Sequence, residues 1–118
     1  MYDALIIGSG IGSLTTAGLL AQTAGLRVLV LEKHSTPGGL THSFRAMGAS
    51  WDVGLHYVGD MEPGSRPRQL LDYLTGGALS WTRMPTGYDR FYLPGHGLDV
   101  TIPSGLQEYR HLLTSLFP

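Results

Sequence analysis

The chain has 118 residues with 8 basic and 9 acidic side chains, a length that points to one domain and a balance that removes the basic face a nucleic-acid binder needs. The absence of cysteine excludes a disulfide framework, thiolate metal ligands and a thiol nucleophile. No apolar run approaches the ~20 residues of a membrane helix, and Met1-Tyr2-Asp3 leads straight into an apolar run without the basic segment of a signal peptide.

Glycine is the compositional outlier, at 17 residues about twice the usual ~7%. Ala4–Ile7 and Val28–Leu31 are continuous apolar runs, the pattern of strands buried on both faces in a parallel sheet. Between them Ile11–Ala24 reads as a helix with Ile11, Leu14, Gly18 and Ala21 on one stripe, stopped by Gly25. Strand, helix and strand over residues 1–32 make a right-handed βαβ unit. Residues 33–59 read as a loop with a Gly38-Gly39 pair, then a hairpin of strands 41–45 and 50–53 about a Met47-Gly48 turn. Residues 60–118 open further segments: a helix over 68–75, short strands over 79–84, 90–93 and 98–102, and an amphipathic helix over 106–117. Six of the seven prolines lie after residue 60, which makes that half loop-rich. The fold class expected is α/β, a βαβ unit followed by short strands and helices.

The first strand ends at Gly8, and Gly8-Ser9-Gly10-Ile11-Gly12-Ser13 opens the helix. The pattern is G-x-G-x-x-S, against the dinucleotide fingerprint G-x-G-x-x-G/A. Gly8 permits the sharp turn, and Gly10 lets a pyrophosphate approach the backbone. Ser13, one hydroxyl larger than alanine, takes the position where helix and strand pack closely. The anion would sit at the helix amino terminus, where unpaired N–H groups and the positive dipole end point. Glu32 ends the second strand, and positions 8 and 32 are 24 apart, close to the ~20 expected of the acid that binds a ribose hydroxyl. A carboxylate there would repel a 2′-phosphate, which argues against NADP. Turn and acid together make this a Rossmann-like FAD/NAD(P)-binding βαβ unit, and the fingerprint alone does not separate FAD from NAD.

With the segments that follow, the chain resembles the FAD-dependent amine oxidase and phytoene desaturase superfamily, within it the retinol saturase and carotenoid isomerase branch. The resemblance rests on Gly-Ser-Gly-Ile-Gly at 8–12, Leu-Glu-Lys-His at 31–34, Pro-Gly-Gly at 37–39, Thr-His-Ser-Phe at 41–44 and Asp-Val-Gly-Leu-His-Tyr-Val-Gly at 52–59. It continues more weakly through Tyr88-Asp89-Arg90-Phe91 and Ile102-Pro103-Ser104-Gly105. It implies FAD as cofactor, with Gly38, Gly39, Leu40, Thr41 and His42 beside the flavin and its phosphates, and Lys33 next to Glu32 on the adenosine side. It also implies a lipophilic polyene as substrate. With neither a signal peptide nor a membrane helix read from the sequence, the setting expected is cytoplasmic, with scope for peripheral membrane contact. The wider superfamily often carries arginines where this chain has Thr36 and Leu40, a departure that favours the polyene branch over amine oxidation.

His42, His56 and Asp52 are not read as catalytic. A histidine beside Tyr57 is more often packed and hydrogen-bonded, and Asp52 before Gly54 suits a turn. No His/Asp/Glu spacing matches a metal site. Catalytic residues stay unassigned. Members of the resembled family are several times longer, and two parallel strands with one crossover helix leave a sheet face uncovered. The chain is therefore expected to be an incomplete domain, the amino-terminal part of an FAD-binding domain. The alternatives are a non-catalytic remnant and an NAD-binding module.

Overall fold

A computed structural model describes residues 1–118. They form two compact units, Met1–Ser80 and Trp81–Pro118.

In the first unit, β1 (Ala4–Ile7) and β2 (Val28–Leu31) pair in parallel, from Ala4 opposite Val28 to Ile7 opposite Leu31, and α1 (Ile11–Ala24) crosses between them. The bounds are those the apolar runs and glycine punctuation predict. Gly25 ends α1 at φ 64 and turns its N–H back to the Leu20 carbonyl, the left-handed stop that a side chain with a Cβ resists. The entrance to both strands is tied by charge. Arg27 donates from Nε to Asp3 Oδ2 at 3.0 Å, and its backbone N–H reaches the same oxygen at 2.9 Å. The Arg27 guanidinium, followed by the Arg27 backbone N–H, holds the Asp3 carboxyl below its usual range. This clasp occupies the amino ends of the strands and leaves their carboxyl ends open.

The helix face differs from the expected stripe. Ile11 and Leu14 are exposed, at 54% and 39%, Ala21 is exposed as well, and the half-buried run is Ala17 to Leu20. A helix apolar on nearly every side has no single sequence-defined stripe. Here α2 (Arg66–Thr75) decides the face. A Cβ built on Gly18 would lie 2.7 Å from Leu74 Cδ2, and Gln22 Nε2 donates to the Leu74 carbonyl at 3.0 Å. The glycine is what lets the second helix approach. Pro67 stands in the first turn of α2, where its missing N–H is harmless, and Gly76 ends the helix at φ 61.

The hairpin forms between β3 (Ser43–Ala46) and β4 (Ala49–Asp52). Met47 at φ 54 and Gly48 at φ 76 make the left-handed pair that a two-residue hairpin turn uses. Thr41, expected in the first strand, belongs instead to a 3-10 turn, Gly39–Thr41, because its N–H closes back on the Gly38 carbonyl.

The second unit is an antiparallel pair, β5 (Gly87–Leu93) and β6 (Leu98–Pro103), followed by α3 (Leu106–Leu116). The strand expected over residues 79–84 is not formed: the segment joins no sheet, and an extended run becomes a strand only when a neighbour completes its ladder. Arg90 spans the pair to Asp99, with both nitrogen–oxygen distances 2.6 Å.

No hydrophobic side chain anywhere in the chain is fully buried; the one side chain that is belongs to Ser9, 2% exposed. Ala4 and Ile6 turn to the half-buried face of β1, while Leu5 and Ile7 stand 58% and 83% exposed on the other. No helix is long and apolar enough to cross a membrane.

Candidate dinucleotide site

Gly8 extends β1 by one further bond, its N–H donating to the Leu31 carbonyl at 2.7 Å, and then turns the chain at φ 89. That value lies in the left-handed region open to glycine. Gly10 follows as the residue before α1, with φ −62 and ψ 164, and no side chain caps the helix. The N–H groups of Ile11, Gly12 and Ser13 therefore lack intrahelical acceptors. A Cβ built on Gly10 or on Gly12 meets nothing within 4 Å, so the backbone at the positive end of the helix lies open on that side. Such an end, with donors uncovered and no acidic residue in the first turn, suits an anion.

Glu32 stands at the carboxyl end of β2 and is held from three sides. Its Oε2 accepts the Ser9 hydroxyl at 2.6 Å and the Ser9 N–H at 2.7 Å, and its Oε1 accepts the His34 N–H at 2.8 Å. The Ser9 hydroxyl is the largest cause lowering its pKa to about 2, followed by the His34 and Ser9 amides, with partial desolvation opposing and the Lys33 amide adding a little. The group is thus a carboxylate at any ordinary pH. Lys33 is exposed beside it.

The second glycine pair packs directly onto the first motif. Gly10 and Gly38 form an isolated parallel bridge, and a Cβ on Gly39 would lie 3.0 Å from Gly10 Cα. Gly38 is buried and donates to Ser9 Oγ at 3.0 Å. Both glycines have positive φ, 117 and 58. Thr41 donates from its hydroxyl to the Gly38 carbonyl at 2.6 Å, and His42 bonds the Gly39 carbonyl through its N–H at 3.3 Å and also through Nδ1. Leu40 is 74% exposed. The hairpin's return strand braces this turn, since Gly54 N–H donates to the Leu40 carbonyl at 3.1 Å and Val53 N–H to that of His42 at 3.2 Å.

All the residues singled out from the sequence for cofactor binding therefore gather at the carboxyl ends of β1 and β2, around the start of α1. In open α/β sheets this is where ligands bind. His56 and Asp52 are exposed. Three features escape sequence reading. One is the bond between the Ser9 hydroxyl and Glu32, invisible because the fingerprint accepts any residue at that position. The second is the bracing by Val53 and Gly54. The third is the pairing of His34 with His42, whose rings lie 5.1 Å apart; the motifs contain both histidines but do not say that they meet.

A parallel strand–helix–strand unit, with a glycine turn at the helix start and an acid ending the second strand, defines a Rossmann-like nucleotide-binding unit. Residues 6–74 match the NAD(P)-binding Rossmann-like domain family, and the chain belongs to it. The chain is 44% identical over 118 residues to the all-trans-retinol 13,14-reductase of Rattus norvegicus, covering 98% of this chain and 19% of that protein. It is 34% identical over 118 residues to the chloroplastic prolycopene isomerase of Daucus carota, covering 99% and 19%. A Danio rerio protein named inactive all-trans-retinol 13,14-reductase is 34% identical over 119 residues, covering 98% and 19%. These relatives are of the retinol saturase and carotenoid isomerase type that the motifs resemble. The chain spans about a fifth of their length.

Proposed function

We propose that the chain is the FAD-binding amino-terminal portion of an oxidoreductase that acts on a polyene of the retinoid or carotenoid class. The observation that carries this reading is the convergence of two glycine turns and one fixed carboxylate on an uncapped helix start. In this assignment the amides of Ile11, Gly12 and Ser13, with the open backbone of Gly10, hold the pyrophosphate. Glu32 accepts hydrogen bonds from ribose hydroxyls, and its negative charge disfavours a 2′-phosphate. Lys33 flanks the adenosine side, and the turn from Gly38 to His42 contacts the flavin side. When bound, FAD supplies the redox chemistry, and the polypeptide orients it. Relatives named as a reductase and as an isomerase support a polyene substrate.

Catalytic residues remain unassigned, and turnover belongs to a longer polypeptide of which this chain is the amino-terminal part. One fact supports that division: the chain covers 19% of the reductase it resembles. The setting we assign is cytoplasmic, with peripheral membrane contact as the route to a lipophilic substrate. A second reading, an NAD-binding module, is favoured by the family match. Titrating the chain with FAD and with NAD, followed by flavin fluorescence and calorimetry, separates the two. Weak FAD binding abolished by Gly10→Val, with none for NAD, is expected; binding of NAD but not FAD refutes the flavin assignment. With retinol or a carotene in detergent and an artificial electron acceptor, the chain alone should show no turnover above the Gly10→Val control.

A further inference from the structure

We infer that Ser9 is a positioning residue: its enclosed hydroxyl couples the acid at the end of β2 to the second glycine turn, so that Glu32 and Gly38-Gly39 are set as one unit before a ligand arrives. The inference builds on the flavin reading but stands on geometry of its own. A serine hydroxyl has one proton and two acceptor sites. Here the proton goes to Glu32 Oε2 at 2.6 Å, and a lone pair takes the Gly38 N–H at 3.0 Å. The side chain is 2% exposed, so it is turned away from any ligand. Its own amide is also committed to Glu32, at 2.7 Å. Three segments distant in sequence therefore meet on one oxygen atom: the end of β1, the end of β2 and the Gly-Gly turn.

Two consequences follow from removing that atom. The Gly38 N–H, buried with its residue, loses its acceptor, and a buried donor without a partner is disfavoured. Glu32 loses the largest of the interactions that keep it ionised, and keeps only backbone amides to fix its rotamer. Neither loss removes a group that touches the cofactor in the assignment above. Ser9→Ala should therefore act on the site through Glu32 and Gly38. Apolar packing plays no part, because alanine fills nearly the same volume.

The test uses the isotope-labelled chain and its Ser9→Ala, Ser9→Thr and Ser9→Cys variants, observed by NMR with FAD as the probe ligand. In the wild type the Glu32 side-chain carboxyl signal should stay flat from about pH 7 down to about pH 3, far below the ordinary carboxylate range. In Ser9→Ala it should titrate within that window, the Gly38 amide should exchange faster, and the FAD dissociation constant should rise about tenfold, the low end for a hydrogen bond to a charged group. Ser9→Thr, which retains the hydroxyl, should restore the Glu32 behaviour. If Ser9→Ala does not fold, Ser9→Cys keeps the volume while weakening both bonds, and carries the same readouts. A Ser9→Ala protein with wild-type Glu32 titration and wild-type Gly38 exchange overturns the inference. A wild-type chain that binds no FAD, yet shows both changes on substitution, refutes the flavin reading and upholds the coupling.

Discussion

Replacing Gly39 with alanine tests whether the second glycine turn is docked on the first. Two penalties add at that position. Gly39 holds φ 58, and a residue with a Cβ in the left-handed region costs about 1–2 kcal/mol. The new Cβ would also lie 3.0 Å from Gly10 Cα, a backbone atom that cannot rotate away, and overpacking of this kind costs about 1–3 kcal/mol. The sum, about 2–5 kcal/mol, is set against a turn held by a handful of hydrogen bonds. Gly76 supplies the control. Its φ is 61, but a Cβ there meets nothing within 4 Å, so Gly76→Ala carries only the backbone penalty. The reporter is exchange of the Gly38 amide, whose acceptor is Ser9 Oγ. Gly39→Ala should speed that exchange by more than about tenfold, and Gly76→Ala should leave it unchanged. Equal exchange in wild type and Gly39→Ala, with unchanged FAD affinity, would show that the turn does not rest on Gly10.

Gly10→Val should weaken FAD binding far more than it weakens the fold, because its φ of −62 suits any residue and a Cβ enters open space; the comparison is calorimetric affinity against a urea midpoint, and matching losses would move the pyrophosphate elsewhere. Acid stability offers a further check on Glu32. Its folded pKa is depressed from 4.5 to about 2, so the stabilisation is full above the unfolded value and is lost as pH falls from there towards the folded one. Glu32→Gln should therefore make the acid limb of the urea-midpoint profile shallower in that window, the remainder belonging to Asp3 and Asp99, whose carboxyls are also held low, and leave its neutral shape unaltered. An acid limb of unchanged slope in Glu32→Gln would assign the whole acid sensitivity to those other carboxylates. The same variant should also weaken FAD binding, because a neutral amide accepts a weaker hydrogen bond from a ribose hydroxyl than a carboxylate does.

What the sequence made legible was local. Ala4–Ile7, Ile11–Ala24 and Val28–Leu31 fall where continuous apolar runs and glycines put them, because burial pattern and left-handed stops are written in neighbouring residues. The acid at Glu32 and the turn at Gly8 were likewise readable from spacing. The features that escaped depend on distant partners. The packed face of α1 is chosen by Leu74 on α2. Residues 79–84 look like a strand but find no ladder. The link from Ser9 to Gly38 joins positions 29 apart, and nothing in a glycine fingerprint specifies the residue between its first two glycines. Spacing therefore reaches the glycine turns and the acid, while the bonds that join them depend on how the chain folds.

The most enclosed side chain of this protein is a hydroxyl, with no oily interior around it. Calorimetric behaviour follows from that inversion. Heat-capacity change on unfolding comes from exposing apolar surface, and polar exposure lowers it. A chain whose apolar side chains are at most half-buried exposes less apolar surface on unfolding than a domain of its length with a closed core, so its stability curve should be flatter. Around the glycine turns, order is carried in addition by the hydrogen bonds that join Ser9, Glu32 and Gly38. Ligand binding adds stability by mass action, so a dinucleotide would sharpen the melting of the very unit that receives it.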